Sequence, residues 1–227
     1  MNEPLARWKD LCLDASHGQL ALGEFWAAVL GLGIETSPGK VSLEGCGDHE
    51  RIWVNAVARP KVVKHRLHLD VYAGSVASLE ALGATVLAPA AETGFGWTMM
   101  ADPEGGEFCC FVRDPLPAYR LHGIGVDCLD PAAQACWWGG VLGRPVTSYD
   151  GHADLFTLEC VTPDPVLTID FAAVPEPRTG SNRVHWDLVG DVDAVLGAGA
   201  TRLWEGRGWS VLADPEGNEF CVSETWQ

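Results

Sequence analysis

The stretch Asp102-Pro103-Glu104-Gly105-Gly106-Glu107-Phe108-Cys109 occurs a second time, with one change, as Asp214-Pro215-Glu216-Gly217-Asn218-Glu219-Phe220-Cys221. The second copy begins 112 residues after the first. Trp26 and Trp138, which each precede a Val-Leu-Gly sequence, are separated by the same 112 residues. Two anchors at one spacing indicate a duplicated unit, because a chance octapeptide would have no such companion.

A third pair of anchors fixes the size of the repeat. His68-Leu69-Asp70 matches His185-Trp186-Asp187 at a spacing of 117 residues, so the copies differ by small insertions, which loops absorb. Each copy has about 110 residues, an ordinary size for a domain with its own core. We therefore predict two domains, 1–114 and 118–227, separated by the Pro-Leu-Pro stretch 115–117.

Charge and composition exclude several classes of partner. The formal net charge of -16 argues against nucleic-acid binding, since an acidic surface repels phosphate. The chain begins without the apolar stretch of a secretory signal, and no apolar run is long enough to cross a bilayer. The eight cysteines include no Cys-x-x-Cys pair and are expected to stay reduced. We expect a soluble cytoplasmic protein, monomer or homodimer, with no nucleic-acid or membrane partner.

The hydrophobic pattern gives one order of elements four times over. A short strand is followed by a helix and then by three strand candidates, and the order restarts near residue 66, residue 124 and residue 184. The helices are predicted to end at glycines, among them Gly31 and Gly143. Asp130-Pro131 is a typical helix start, with Asp as N-cap and Pro at the first helical position. This pattern predicts the α+β class.

These features together resemble the vicinal oxygen chelate superfamily, which includes glyoxalase I, bleomycin-resistance proteins and extradiol dioxygenases. The resemblance rests on the helix ends in which a tryptophan is followed by Leu-Gly, on the His-x-Asp strands, on Leu82-Gly83-Ala84-Thr85 after the second helix, and on the repeated octapeptide. It covers nearly the whole chain and points to the glyoxalase-like branch. It implies four βαβββ modules that form two tandem glyoxalase-like domains, each with a cup-shaped mixed sheet.

The resemblance also implies a divalent-metal position in each cup, with ligands on the first, fourth, fifth and eighth strands. The fifth-strand histidine is matched by His68 and by His185. The eighth-strand position is cysteine in both copies, where the metalloenzymes of the family usually have glutamate. The first-strand and fourth-strand positions fall near these residues: Leu11, Gly123, Asn55 and Asp170. We therefore expect no metal cofactor; the alternative is a displaced ion held by Glu107 or Glu219.

The two His-x-Asp pairs are the candidate catalytic residues. On a strand, His68 and Asp70 project to one face, as do His185 and Asp187. A histidine beside a carboxylate in a cavity is a competent general acid or base. The alternative is a hydrogen-bonded couple with a structural role, and the presence of the pair in both copies favours that interpretation.

The candidate ligand-binding residues lie close to the repeated octapeptide. Trp97 and Trp209 each follow a glycine just before the last hairpin of a module, so their rings can face a ligand; the alternative is core packing. Glu107 and Glu219 follow in the next strand. An aromatic pocket with few polar groups is typical of a small-molecule site.

Two functions follow from these expectations. The first is a metal-free binder of a small, planar or aromatic molecule, of the resistance or sequestering kind, similar to the bleomycin-resistance proteins. The second is an enzyme of the lyase, isomerase or cyclase type. It would use either a degenerate divalent-metal site or one histidine, His68 or His185, as acid and base.

Overall fold

A computed structural model describes residues 3–149, 152–163 and 167–225. The first module comprises β1 (Ala6–Ala15), α1 (Gln19–Leu30), β2 (Gly33–Ser37), β3 (Lys40–Glu44), a 3₁₀ turn (Asp48–Glu50) and β4 (Ile52–Ala56). The second comprises β5 (Leu67–Ala73), α2 (Val76–Glu80), β6 (Thr85–Ala88), α3 (Ala90–Thr93), β7 (Thr98–Ala101) and β8 (Glu107–Val112). The third comprises β9 (Leu121–Cys128), α4 (Pro131–Leu142), β10 (Val146–Tyr149), β11 (His152–Leu158) and β12 (Thr168–Ala173). The fourth comprises β13 (Val184–Gly190), α5 (Val192–Gly197), β14 (Thr201–Glu205), β15 (Trp209–Ala213) and β16 (Glu219–Ser223).

The predicted helix boundaries are confirmed by their caps. The Asp130 side chain accepts a hydrogen bond from the Ala133 amide at 3.0 Å, and Pro131 occupies the first turn of α4. Gly31 and Gly143 close α1 and α4 in the left-handed conformation, with φ of 75° and 63°. Among the described residues, no helix combines the length and apolarity needed to span a membrane.

The strands form two open eight-stranded mixed sheets, and each sheet combines one module from either half of the sequence. Sheet A has the order β14-β15-β16-β13-β1-β4-β3-β2, from the fourth and first modules. Sheet B has the order β10-β11-β12-β9-β5-β8-β7-β6, from the third and second. At the centre of each sheet two first strands pair antiparallel, β1 with β13 and β5 with β9.

The modules and the α+β class are as predicted, and each sheet combines one module from the first sequence repeat with one from the second. All four modules present the same edge, their first strand, to a partner module. A repeat of equivalent modules specifies that first strands pair with each other, but it does not specify which two. In this chain the adjacent second and third modules share one sheet, and the two outer modules share the other.

One hydrophobic core joins the helices to both sheets. Helix α1 packs mainly on β3 and β4 of sheet A and also contacts β5 of sheet B. Helix α4 packs mainly on β11 and β12 of sheet B and contacts β1 of sheet A. Trp26 is buried against Phe108, and Trp138 is buried against Phe220, at ring distances of 5.2 and 4.8 Å. The tryptophan anchor and the octapeptide anchor of each repeat are thus packed on each other.

The aspartate that opens each octapeptide organises its turn and binds the tryptophan. Asp102 accepts hydrogen bonds from the amides of Glu104 (2.8 Å) and Gly106 (2.7 Å), and from Trp26 Nε1 at 3.3 Å. Asp214 repeats this arrangement with Trp138 Nε1 at 3.2 Å. A buried indole N–H needs such an acceptor, which explains why the two anchors occur together.

The glutamate of each turn fastens one sheet to the other. Glu104, in sheet B, accepts hydrogen bonds from the Ser16 amide (2.8 Å) and the His17 amide (2.9 Å) at the end of β1 in sheet A. Glu216, in sheet A, accepts them from the Leu129 amide (2.9 Å) and the Asp130 amide (2.8 Å) at the end of β9 in sheet B. The repeated octapeptide is therefore a connection between sheets as well as a turn.

Candidate functional site

Each sheet carries one of the predicted His-x-Asp pairs on the face that the helices leave uncovered, called here the cup face. Along β5 the residues Leu67, Leu69 and Val71 are buried in the core, so His68 and Asp70 point to the cup face. In sheet B, His68 lies opposite Gly125 of β9. In sheet A the same relation holds between His185 and Cys12 of β1.

In sheet B, His68 is the centre of an ion-pair cluster. Its Nδ1 lies 3.3 Å from Asp70 Oδ1, and its Nε2 lies 3.8 Å from Asp127 Oδ1. Asp127 also pairs with Lys64 Nζ at 2.6 Å. Gly125 makes room for this arrangement, because a Cβ at that position would overlap the imidazole ring.

The charges around His68 favour its protonated form. Burial by itself disfavours the imidazolium, but the nearby Cys109 sulfur and the hydrogen-bonding carboxylates of Asp127 and Asp70 raise the pKa of His68 well above its usual value. The reciprocal effect lowers the pKa of Asp127, in spite of the burial that opposes it. A histidine held charged between two carboxylates suits a structural couple better than a proton acceptor.

Other side chains on the cup side of sheet B also contact one another. Asp170 is held by Thr157 Oγ1 at 2.6 Å and Thr168 Oγ1 at 2.7 Å. Beside it runs a row of neighbouring rings with centroid separations of 4.1 to 5.2 Å: Phe95, Trp97, Phe111, His122 and Tyr72. The structure therefore places Trp97 within a packed aromatic row.

In sheet A the equivalent pair is looser. His185 Nε2 lies 3.8 Å from Asp187 Oδ1, which is beyond hydrogen-bond distance. Asp187 Oδ1 is buried, and within the described chain it has no hydrogen-bond partner. Burial, and then the charge of Asp187, raise the pKa of the Cys12 thiol well above its usual value. The cup of sheet A thus contains a desolvated acceptor that the fold does not satisfy.

A cavity of about 960 Å³ opens on this side of sheet A. Its lining includes three indole rings, those of Trp53, Trp204 and Trp209. Trp204 and Trp209 meet edge to face at 4.4 Å, and 37% of Trp209 is exposed. Trp209 therefore lines a cavity, whereas Trp97 lies within an aromatic row, although the two occupy equivalent places in the repeat.

The two glutamates predicted to bind ligand are engaged by the loops that join consecutive modules. Glu107 pairs with Lys61 Nζ at 2.7 Å and accepts the His65 amide at 3.0 Å. Glu219 pairs with Arg178 and accepts the Asn182 amide at 3.1 Å. Glu219 also lines the sheet A cavity. Both carboxylates thus anchor loops.

Sequence reasoning missed Cys12, Asp127 and Trp204 as members of these sites. A β-bulge beside β1 residue Asp10 shifts the register against β13, and an equivalent bulge at Asp70 shifts β5 against β9. The strand pattern alone did not reveal these irregularities. The only available signal was that Asp127 lies in a strand otherwise free of charge.

The donor atoms of the sheet A cup fit a divalent ion. One ligand atom each from Cys12, His185 and Asp187 lie within 4.8 Å of one another. Sulfur, imidazole nitrogen and carboxylate oxygen form a set that Zn²⁺ accepts, and an ion would also satisfy the unpartnered Asp187 oxygen.

A second set of donors in the sheet B cup meets the same distance limit: His68, Asp70 and Cys109. In that set both ring nitrogens of His68 already face carboxylates, and the ring is held in its charged form. An imidazolium has no lone pair for a metal. An ion in the sheet B set would therefore have to displace the proton that the carboxylates favour on His68.

Comparison with known proteins agrees with this fold. The model of the glyoxalase-like domain matches residues 10–111 and again residues 123–223. Glyoxalase I from Zea mays has a similar structure, with a TM-score of 0.66 and 13% identity, covering 96% of this chain and 92% of that one. A proposed dioxygenase from Bacillus subtilis also has a TM-score of 0.66, with 16% identity, covering 98% of this chain and 86% of that one.

No curated protein matches this sequence. Identities of 13% and 16% establish similarity of fold and leave the activity open. The two matched segments cover both sequence repeats, and each contains one octapeptide and one His-x-Asp pair. The chain therefore belongs to the glyoxalase-like domain family of the vicinal oxygen chelate superfamily, with the domain present in two copies.

Proposed function

We propose that this protein binds a small planar organic molecule in the sheet A cavity, without needing a metal ion. The observation that carries the proposal is the contrast between the two cups. Sheet A has a cavity of about 960 Å³ walled by Trp53, Trp204 and Trp209. At the equivalent place in sheet B, Trp97 is packed against Phe95 and Phe111.

The size and chemistry of the cavity suit this role. Sites for small organic molecules commonly occupy several hundred Å³ and combine apolar walls with a few polar groups. Indole rings offer large, rigid surfaces for stacking, and few rotamers have to be ordered when a ligand binds. We propose one ligand per chain, bound in the sheet A cup.

A matched pair of variants tests the proposal. In a calorimetric screen of planar aromatic compounds, we expect Trp209→Ala to weaken binding of the best ligand about tenfold or more, since an aromatic wall residue contributes roughly 1.4 kcal/mol or more. Trp97→Ala should leave the affinity within about twofold, because the Trp97 ring faces the packed row of sheet B.

The two variants should also differ in stability. Trp97→Ala removes a packed ring and should lower the free energy of unfolding more than Trp209→Ala does. The proposal fails if Trp97→Ala abolishes binding while Trp209→Ala leaves it intact. It also fails if no planar compound binds to the wild-type chain.

The Cys12, His185 and Asp187 set favours a second candidate, an enzyme of the lyase, isomerase or cyclase type. A divalent ion held there would act as a Lewis acid on a substrate oxygen. Asp14, whose pKa is raised by burial although the charge of His185 opposes the shift, would then hold or move a proton in the same cavity. His185 is the acid/base group if no ion is bound.

Zinc uptake distinguishes the two candidates. If the enzyme proposal holds, the wild-type chain incubated with Zn²⁺ and dialysed should retain one equivalent per chain, measured by elemental analysis. Cys12→Ser should lose most of that zinc, whereas Cys109→Ser, in the sheet B set, should retain it. Equal retention by Cys12→Ser and wild type, or no retention by either, would remove the metal site and leave the binding function.

A further inference from the structure

The charged groups of the sheet A cavity are segregated between its centre and its two edges. Cys12 and Asp187 lie on β1 and β13, the two central strands of the sheet. Lys40 and Arg207 lie at the turns of the β2–β3 and β14–β15 hairpins, which form the opposite edges of the same sheet. All four residues line the cavity.

The centre of the cavity offers a hydrogen-bond acceptor to a ligand. Asp187 Oδ1 is buried, and no described residue donates to it. A desolvated carboxylate oxygen without a partner is costly, and an N–H or ammonium group of a ligand would remove that cost. Near the centre Lys9 pairs with Asp10 at 2.9 Å and Glu219 pairs with Arg178, while His185 Nε2 lies 3.8 Å from Asp187 Oδ1, beyond hydrogen-bond distance.

The edges of the cavity offer two exposed cations. Lys40 and Arg207 are solvent-exposed, and neither forms an ion pair within the described part of the chain. The chain has 15 basic and 31 acidic residues, so two basic side chains without an acidic partner among the described residues are notable. Such cations attract an acidic group of a ligand at the mouth of the cavity.

We propose that the cavity recognises a dipolar aromatic molecule, whose amine or N–H end reaches Asp187, whose ring lies against Trp204 and Trp209, and whose acidic end faces the cavity edges, where Lys40 and Arg207 lie. This inference rests on the proposed binding function and adds the class of ligand. The tryptophan faces also favour a cationic group near them, since the ring quadrupole attracts positive charge.

Three probes of the same shape test the inference by calorimetry. The first is a biphenyl with an aminomethyl group at one end and a carboxylate at the other. The second carries only the aminomethyl group, and the third only the carboxylate. We expect the dipolar probe to bind about tenfold more tightly than either single-charge probe, because each charge-assisted contact contributes roughly that factor.

Variants assign each end of the probe. Asp187→Asn should weaken the dipolar and amine probes about tenfold and leave the carboxylate probe unchanged. The double variant Lys40→Gln with Arg207→Gln should weaken the dipolar and carboxylate probes and leave the amine probe unchanged. Asp193→Asn and Arg144→Gln, which remove charges outside the cavity lining, are the matched controls.

The outcomes distinguish a failure of this inference from a failure of the proposed binding function on which it rests. If all three probes bind equally and Trp209→Ala still weakens each of them, the cavity binds planar compounds but does not select dipolar ones, and the inference is overturned. If either single-charge probe binds as tightly as the dipolar one, the corresponding charged end is wrongly assigned and the inference is overturned. If no probe binds while planar compounds from the screen do, the inference is overturned and the proposed function stands; if no planar compound binds either, both fail.

Discussion

Replacing Trp138 with alanine should lower the free energy of unfolding by about 3 to 5 kcal/mol, the range for deleting a large aromatic ring from a core. The Trp138 side chain is fully buried and lies 4.9 Å from the Trp186 ring and 4.8 Å from the Phe220 ring. Its Nε1 donates to Asp214, so the substitution also removes a hydrogen bond from a buried carboxylate. Equilibrium urea unfolding measures the change.

Two further variants define what that loss consists of. Trp138→Phe keeps most of the ring and removes only the hydrogen bond to Asp214, so it should cost less than Trp138→Ala, at about 1 to 3 kcal/mol. Trp209→Ala, at a partly exposed position in the cavity wall, should cost clearly less than Trp138→Ala. A loss below about 1 kcal/mol for Trp138→Ala would contradict the packing of the two sequence anchors on each other.

Replacing His68 with leucine should be the other strongly destabilising change, at about 3 to 5 kcal/mol near neutral pH. The variant leaves Asp70 and Asp127 buried without the imidazolium that lies between them. Lys64 remains to pair with Asp127, but Asp70 loses its charged neighbour. His185→Leu is the matched control. It should cost less, because the His185 and Asp187 side chains are 3.8 Å apart and more exposed.

The destabilisation by His68→Leu should depend on pH in a defined direction. Because the pKa of His68 is raised in the folded state, the stabilisation it supplies is complete below its unfolded pKa, about 6.5, and is lost as the pH rises through the higher folded value. The difference in stability between wild type and His68→Leu should therefore shrink from pH ~6 to pH ~10. A difference that grows with pH would show that His68 is neutral in the fold.

The lowered pKa of Asp127 affects the stability of the fold in the acidic range. Its contribution is complete above its unfolded pKa, about 3.9, and is lost as the pH falls through the lower folded value. The stability difference between wild type and Asp127→Asn should therefore shift toward zero as the pH falls through the acidic range, because only the wild type has this stabilisation to lose. Urea titrations across the acidic range measure this shift.

The sequence was sufficient to predict the modules, because their signals are local. The caps around Asp130 and Gly143 depend on neighbouring residues, and the octapeptide forms a turn that its own Asp, Pro and Gly favour. The sequence does not specify which modules share a sheet, since the first strands β1, β5, β9 and β13 are equivalent partners for each other. Their choice depends on long-range packing between the two sheets, which repeat spacing does not encode.

The sequence predicts which candidate site residues recur in both repeats, but it does not predict how the two sites differ. The two His-x-Asp pairs were found because alternation along a strand places both side chains on one face. The different surroundings of Trp97 and Trp209 could not be predicted, because the aromatic row beside Trp97 contains Tyr72 and His122 from two different modules. The loop contacts that engage Glu107 arise in the same non-local way.

The central claim, that the working site is the cup of sheet A, is tested most directly by fluorine NMR of the chain labelled with fluorotryptophan. Single Trp→Phe variants assign the resonances of the ten tryptophans. On addition of the tightest-binding aromatic compound from the screen, the resonances of Trp204 and Trp209 should shift and that of Trp97 should stay in place. A shift of Trp97 with Trp204 and Trp209 unchanged would contradict the claim.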